Sequence, residues 1–192
     1  MPRQNLRFLR SALTFYVLAM LFLTLGKTWF TIGGLWSTGA HQRRSLELIP
    51  FADFITASTW FAPIVNLVGN LSLFFPFGLL FALLYFRKDV VRQVSFAGFG
   101  FSFLLETLQY MFRIGYSDTG DLIANTVGAA LGAQAAVVLM RRAQRWLRQA
   151  AVYACVALTV LLFIKLDVGP TLLDSLNLAT KLAGPTLGAT GP

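Results

Sequence analysis

The sequence predicts an all-α polytopic membrane protein with about five transmembrane helices, its N-terminus inside and its C-terminus outside. Three observations predict it. Of 192 residues, 56% are hydrophobic and 12% are charged, whereas soluble domains carry about 25% charged residues. The apolar residues, 18 Phe among them, gather into runs approaching the ~20 residues that a helix needs to cross a hydrocarbon core. The basic residues flank those runs and do not line one polar face. A net charge of +8 with that distribution sets aside nucleic acid as a partner. A soluble fold of this composition would expose apolar surface and aggregate.

The first run covers residues 8–25 and follows Arg3, Arg7 and Arg10. A cleavable signal peptide is the alternative. No small-x-small site follows, and Gly26-Lys27-Thr28-Trp29 has the character of an interfacial anchor, so the helix is expected to be retained. Residues 27–63 are mixed, with Gly33-Gly34, His41, Arg43-Arg44 and Pro50. Trp29, Trp36 and Trp60 are the amphipathic rings expected at headgroup depth. Residues 46–51 are apolar but too short to span, and they are expected to lie in the interface or dip into it.

Further helices are expected over residues 64–86, 94–112 and 122–140. The fifth, 150–164, is short, and Lys165 can snorkel to lengthen it. The Gly-, Pro- and Thr-rich tail from Asp167 is expected to be loose. The single Cys, Cys155, excludes an internal disulfide framework and reads as a small buried hydrophobe. The chain thus divides into residues 1–45 (first helix and external segment), 46–140 (a core of three helices) and 141–192 (fifth helix and tail).

Charge orients the chain. An internal N-terminus places Arg3, Arg7, Arg10, Arg87, Lys88, Arg92, Arg141, Arg142, Arg145 and Arg148 on the inner side, ten of the 16 basic residues. The positive-inside rule favours that orientation.

Polar groups inside a membrane are costly, so their positions carry information. Asn66 and Asn70 share one helix face. Ser102, Glu106, Gln109 and Arg113 fall within about 60° of each other on the next helix. Asp118, Asp121 and Asn125 open the following one at i, i+3 and i+7. Asn70 and Glu106 each lie ~9 Å inside the outer ends of their expected helices, with Asn125 a little shallower. Eight residues are therefore expected to converge on one ligand-binding site in the outer leaflet: Asn66, Asn70, Glu106, Gln109, Arg113, Asp118, Asp121 and Asn125. Gly128 and Gly132, a small-xxx-small pair, should let their helix approach a neighbour closely. Pro76 is expected to kink its helix. The competing reading is that these polar groups only glue helices together.

The ordered set carries a resemblance. It runs from Leu48-Ile49-Pro50-Phe51 to Asn66-Leu67-Val68-Gly69-Asn70 and Phe75-Pro76-Phe77-Gly78. It continues through Glu106-Thr107-Leu108-Gln109 with Arg113 to Asp118, Asp121, Asn125 and Gly128. Over residues 46–133 this pattern resembles the VanZ-like family. The family pattern has Asn where this chain has Glu47. The family is named after a protein that confers low-level resistance to the glycopeptide teicoplanin. The resemblance therefore implies a multi-pass protein of the bacterial cytoplasmic membrane with a cell-envelope role, not that this chain itself confers resistance; an influence on susceptibility to glycopeptide-type antibiotics is an expectation of the reading in which it recognises an envelope amphiphile.

Candidate chemistry is narrow. His41 is the single histidine, and no Gly-x-Ser-x-Gly elbow exists. Ser102 beside Glu106 lacks a suitable base. Glu106, Asp118 and Asp121 are the catalytic candidates, for acid–base hydrolysis or transfer on a lipid-linked substrate. The competing reading is recognition without chemistry: Arg113 pairs with phosphate or carboxylate, and Asn66, Asn70 and Asn125 bond sugar or amide groups. The oxygen donors Glu106, Asp118, Asp121 and Asn125 suit Mg²⁺ or Ca²⁺ as a minor alternative. The preferred reading needs neither metal nor cofactor. Expected partners are membrane lipids or a lipid-linked envelope precursor, and homo-oligomerisation is left open. Transport is disfavoured, because the inner halves of the core helices offer no polar path.

Overall fold

Long apolar runs close their backbone hydrogen bonds within the segment, and the resulting helices extend past each run into polar flanking residues. In a computed structural model of the chain, the described residues are 3–25, 30–32, 45–85, 88–112, 116–142, 145–164 and 166–168. The elements are α1 (Arg3–Leu25), β1 (Phe30–Ile32), β2 (Ser45–Glu47), α2 (Asp53–Thr56), α3 (Phe61–Leu84), α4 (Val90–Phe112), β3 (Tyr116–Asp118), α5 (Thr119–Arg142), α6 (Arg145–Ile164) and β4 (Leu166–Val168). Trp29, Trp36, His41, Arg113, Lys165 and the tail beyond residue 168 lie outside the described residues.

The five long helices match the five apolar runs, with earlier starts. The α5 helix begins three residues before its run, at Thr119, where Asp121 sits in the first turn and complements the positive end of the helix dipole. Among the described residues, three stretches are long and apolar enough to cross a membrane: Leu6–Leu25, Phe61–Leu84 and Thr119–Arg141. The α4 helix is long enough but carries Arg92, Gln93, Glu106 and Gln109, and the apolar part of α6 is shorter, Gln149–Leu161. The fold is all-α as expected, with short bridging strands between the helices. Four three-residue strands are present, β1 paired antiparallel with β4 and β2 parallel with β3. They clip together segments that helical periodicity cannot reveal.

The centre of the bundle is the α3–α5 pair. A Cβ on Gly132 would collide with the Phe75 carbonyl oxygen, and one on Gly128 with the Leu71 carbonyl. From the other side, a Cβ on Gly78 would strike the Ala129 backbone. Backbones this close gain dispersion contact along their length. The α4 helix packs across α5 through Gly98, whose Cβ would meet the Ala129 methyl. The α1 helix is tied to α3 by the Tyr16 hydroxyl, which donates to the Leu73 carbonyl at 2.6 Å, one turn from the break in helical bonding at Pro76. The α6 helix lies on α1, with the Phe8 and Tyr153 rings 5.3 Å apart and Cys155 buried.

The core joins Met20, Phe74, Leu80, Val94 and Leu105, with Phe77 stacked on Phe101 at 5.5 Å. Outward faces are apolar too, with Phe96, Phe103 and Leu131 exposed, as suits helices solvated by lipid. Contacts fix the directions. The order Leu71–Gly128 then Phe75–Gly132 makes α3 and α5 parallel, while Ser102–Asn125 and Glu106–Asp118 make α4 antiparallel to α5. One end of the bundle therefore gathers the N-termini of α3 and α5 and the C-termini of α1 and α4.

Candidate functional site

At that end the polar residues sort into three groups. The first is built on Asp121. Asn66 and Asn70 lie one turn apart on α3, and both donate Nδ2 hydrogen bonds to Asp121 Oδ1, at 2.8 and 2.6 Å. Two amide donors and the N-terminus of α5 hold this carboxylate.

The second group is acidic. The parallel register of β2 and β3 sets Glu47 opposite Asp118, and the Thr119 hydroxyl ties the pair by donating to the Glu47 carbonyl at 3.1 Å. The Gly120 N–H donates to Asp118 Oδ1 at 2.7 Å, and the Asp118 N–H donates to Glu106 Oε2 at 3.2 Å. Asp53, from α2, completes the cluster. Carboxylate oxygens of Glu47, Asp53 and Asp118 lie within 4.8 Å of one another. Burial raises the Asp118 carboxyl above its ordinary value, the Gly120 N–H opposes that, and Asp53 adds to it. The Glu47 carboxyl is raised by desolvation, then by Asp53 and Asp118. Like charges at this spacing favour the protonated form.

The third group is buried between helices. Asn125, 5% exposed, donates Nδ2 to Ser102 Oγ at 2.9 Å, and its Oδ1 has no hydrogen-bond partner among the described residues. Gln109, 2% exposed, donates Nε2 to the Thr24 carbonyl of α1 at 3.2 Å. These bonds join α4 to α5 and α4 to α1. Thr119, the first residue of α5, puts Asn125 ~9 Å into its helix, as deep as Glu106 and deeper than the apolar run alone implies.

A pocket opens beside the first two groups. It is lined by Phe51, Asp53, Phe54, Pro63, Asn66, Leu67, Asp118, Gly120, Asp121 and Ala124. Phe51 has φ of 58°, the left-handed region that a bulky residue rarely adopts. The resulting turn lays Phe51 against Gly120, where an added Cβ would sit 3.0 Å from the Phe51 nitrogen. Polar carboxylates and an amide thus share one concavity with two aromatic rings.

Of the eight residues expected to converge, Asn66, Asp118 and Asp121 line this pocket. Asn70 and Glu106 support them through hydrogen bonds. Asn125 and Gln109 turn to other helices, and Arg113 lies outside the described residues. The carboxylates positioned to share a cation are Glu47, Asp53 and Asp118, a different set from the Glu106, Asp118, Asp121 and Asn125 expected from spacing. These are hard oxygen donors of the kind that suit Mg²⁺ or Ca²⁺. Sequence reasoning did not single out Asp53 or Phe54, and it named Phe51 within the family pattern without a place in the site. Asp53 had a signal, as the one charged residue between positions 48 and 61. The Phe residues had none beyond their place after Pro50.

Comparison with known proteins adds a family. The VanZ/LLP1 family model matches residues 13–141. The chain is similar to Protein VanZ of Enterococcus faecium, with 35% identity over 92 residues, 48% of this chain and 52% of that protein. The chain thus spans about half the length of this curated relative. No solved structure matches.

Proposed function

The chain belongs to the VanZ/LLP1 family, and from that premise we propose that it recognises an envelope amphiphile, a lipid or lipid-linked precursor, at the outer leaflet of a bacterial cytoplasmic membrane. The observation that carries the reading is the composition of the pocket. Asp53, Asn66, Asp118 and Asp121 meet Phe51 and Phe54 in one hollow, at the end of a helix long and apolar enough to span. Such a hollow offers hydrogen bonds to a headgroup and apolar contact to the first part of a chain. An influence on susceptibility to glycopeptide-type antibiotics follows in this reading from occupancy of an envelope component.

The same proposal takes all five long helices as spans, with the N-terminus in the cytoplasm. The alternating helix directions support it, and so does the clustering of Lys88, Arg92 and Arg141 at the opposite end from the pocket. Cysteine labelling of intact cells tests the orientation. Thr186→Cys, in the tail after α6, should react with an impermeant reagent from outside, and Asp89→Cys should not. The reverse pattern would overturn it.

One observation favours an enzymatic reading. Burial, and Asp53 nearby, raise the Asp118 carboxyl above its ordinary value against the Gly120 hydrogen bond, and the Glu47 carboxyl opposite is raised as well, the direction in which a general acid is tuned. Mass spectrometry separates the readings. Purified full-length protein in nanodiscs, incubated with total lipid extract of its expression host, should retain a lipid that Asp121→Asn releases and should yield no new species. A new lipid species made by the parent and absent with Asp118→Asn would establish catalysis in place of recognition.

A further inference from the structure

Residues 48–61, which lead into α3 and include its first residue, contain one charged residue, Asp53. Its carboxylate lines the pocket. The apolar side chains of the same segment divide between two sides. Phe51 and Phe54 also line the pocket, with their rings in edge contact at 6.4 Å. Leu48, Ile49, Ile55, Trp60 and Phe61 are exposed, Ile55 to 85% and Trp60 to 70%. Thr56, Ser58 and Thr59 are exposed beside them, so the outer side mixes uncharged polar groups with five large apolar ones, where an ordinary aqueous loop exposes mainly polar and charged groups.

The backbone points the same way. The N–H groups of Ala52, Phe54, Ile55, Thr56 and Ala57 donate to carbonyls within the segment. The Thr56 hydroxyl donates to the Ala52 carbonyl. Internal pairing of this kind is what a chain needs where water is scarce. Depth agrees as well. The α3 helix begins at Phe61 and has 24 residues, or ~36 Å, which exceeds the ~30 Å hydrocarbon core. Its first residues therefore reach the interface, and the exposed face of the segment continues directly into the exposed Ile64 and Val68 of α3.

We infer that residues 48–61 form an amphipathic lip embedded in the bilayer interface, seated on lipid acyl chains through Leu48, Ile49, Ile55, Trp60 and Phe61, so that the pocket is approached sideways from the membrane. The occupant of the outer face of the lip is the lipid surface, because that face is continuous with a spanning helix and carries no charge. The role of the lip as a lateral entrance rests on the reading of the pocket as an amphiphile site. Its seat in the bilayer does not.

Depth-dependent quenching tests the seat. In the full chain with Trp29, Trp36, Trp60 and Trp146 replaced by Phe, Ile55→Trp provides a single fluorophore on α2. It is reconstituted in phosphatidylcholine vesicles brominated at shallow or deep acyl positions. Blue-shifted emission is expected, with intensity lost more to shallow bromine than to deep bromine. Water-like emission, indifferent to both lipids and quenched by aqueous iodide, would overturn the inference, and so would emission shielded from lipid and iodide alike, which would mark a protein contact. A second protein, Ile55→Cys bearing a polarity-sensitive fluorophore, reads the same depth with all four Trp retained, since Cys155 is buried away from the label. Neither measurement depends on a pocket ligand. A lipid-quenched Ile55 position without retained lipid leaves the lip and removes the recognition reading. Retained lipid with an aqueous Ile55 position does the reverse.

Discussion

The two halves of α3 occupy different environments. From Phe74 to Leu83, eight of its residues are buried, whereas Pro63 is the one buried residue between Phe61 and Leu73. The deeper half is held by close backbone approach, with Gly78 against Ala129 and Gly132 against Phe75 and Leu79. The shallower half is held by Asn66 and Asn70 reaching across to Asp121. Lipid tails are as apolar as Leu, so helix association in a bilayer draws on packing and on hydrogen bonds. This protein grades from one to the other along one helix, with Gly128 still close against the Leu71 backbone where the two halves meet. The packed half is buried, and the hydrogen-bonded half is largely exposed. The ends of the bundle differ in charge as well. The described ion pair Arg92–Asp89, at 3.9 Å, is exposed at the start of α4, at the end opposite the acidic cluster.

The difference can be broken most severely in the glycine seam. Gly132→Leu should cost at least the ~1–3 kcal/mol usual for overpacking, because the obstacle is the backbone at Phe75 and Leu79. The measurement is yield and thermal unfolding in detergent. Gly69, in the open half of α3, has nothing among the described residues within 4 Å of an added Cβ. Gly69→Ala should be neutral or stabilising by up to ~1 kcal/mol through helix propensity. Equal losses at the two glycines would erase the distinction between the halves.

Ser102→Ala comes next. It removes the acceptor for the buried Asn125 amide and should cost ~1 kcal/mol, in the range of interhelical hydrogen bonds in membranes. Lipid retention by the purified protein should not change. If retention falls with unchanged stability, the Asn125–Ser102 pair belongs to the ligand site and not to the helix joint.

Asp121→Asn and Glu106→Gln should cost less than ~1 kcal/mol each, since an oxygen acceptor remains for the Asn66 and Asn70 amides and for the Asp118 N–H. Retained lipid should nevertheless drop. The comparison is sharpened by plotting lipid retention against melting temperature for every variant. If all points fall on one line, the polar end is helix glue like the rest.

The smallest effect is a pH dependence. The carboxyls of Glu47 and Asp118 are raised in the folded protein, so the native state binds more protons than the unfolded one just above the ordinary carboxylate values of 4.5 and 3.8. Stability from these groups is then greatest at low pH and is lost as pH rises through their raised native values. Melting temperature should rise slightly as pH falls from neutrality toward that range. Asp53→Asn should flatten the rise, because Asp53 is a cause of both shifts. A melting temperature that falls over the same interval would mean that the cluster is stabilised by its charge.

Much of the site was readable as helix faces. The i, i+4 spacing of Asn66 and Asn70 anticipates two amides pointing one way, and both meet Asp121. The stripe Ser102–Glu106–Gln109 does lie on one side of α4, yet its members serve three neighbours: Asn125 on α5, Asp118 on β3 and Thr24 on α1. Periodicity states that residues share a face. It does not state how many helices that face touches. Glu47 and Asp53 escaped for a different reason. Both precede α3 in chain order, and the parallel β2–β3 pairing that brings Glu47 to Asp118 joins residues far apart in sequence.

The sequence alone determined the existence of five long helices, the apolar character of their outer surfaces and the presence of close-approach glycines on α5. These follow from local physics: a backbone in a low-dielectric layer must pair its own polar groups, and side-chain transfer free energies add residue by residue. Which polar groups meet was set by how the helices pack. Pairing depends on the rotation and axial register of each helix. Those are set by where Gly78, Gly128 and Gly132 let two backbones touch, a condition that no single segment contains.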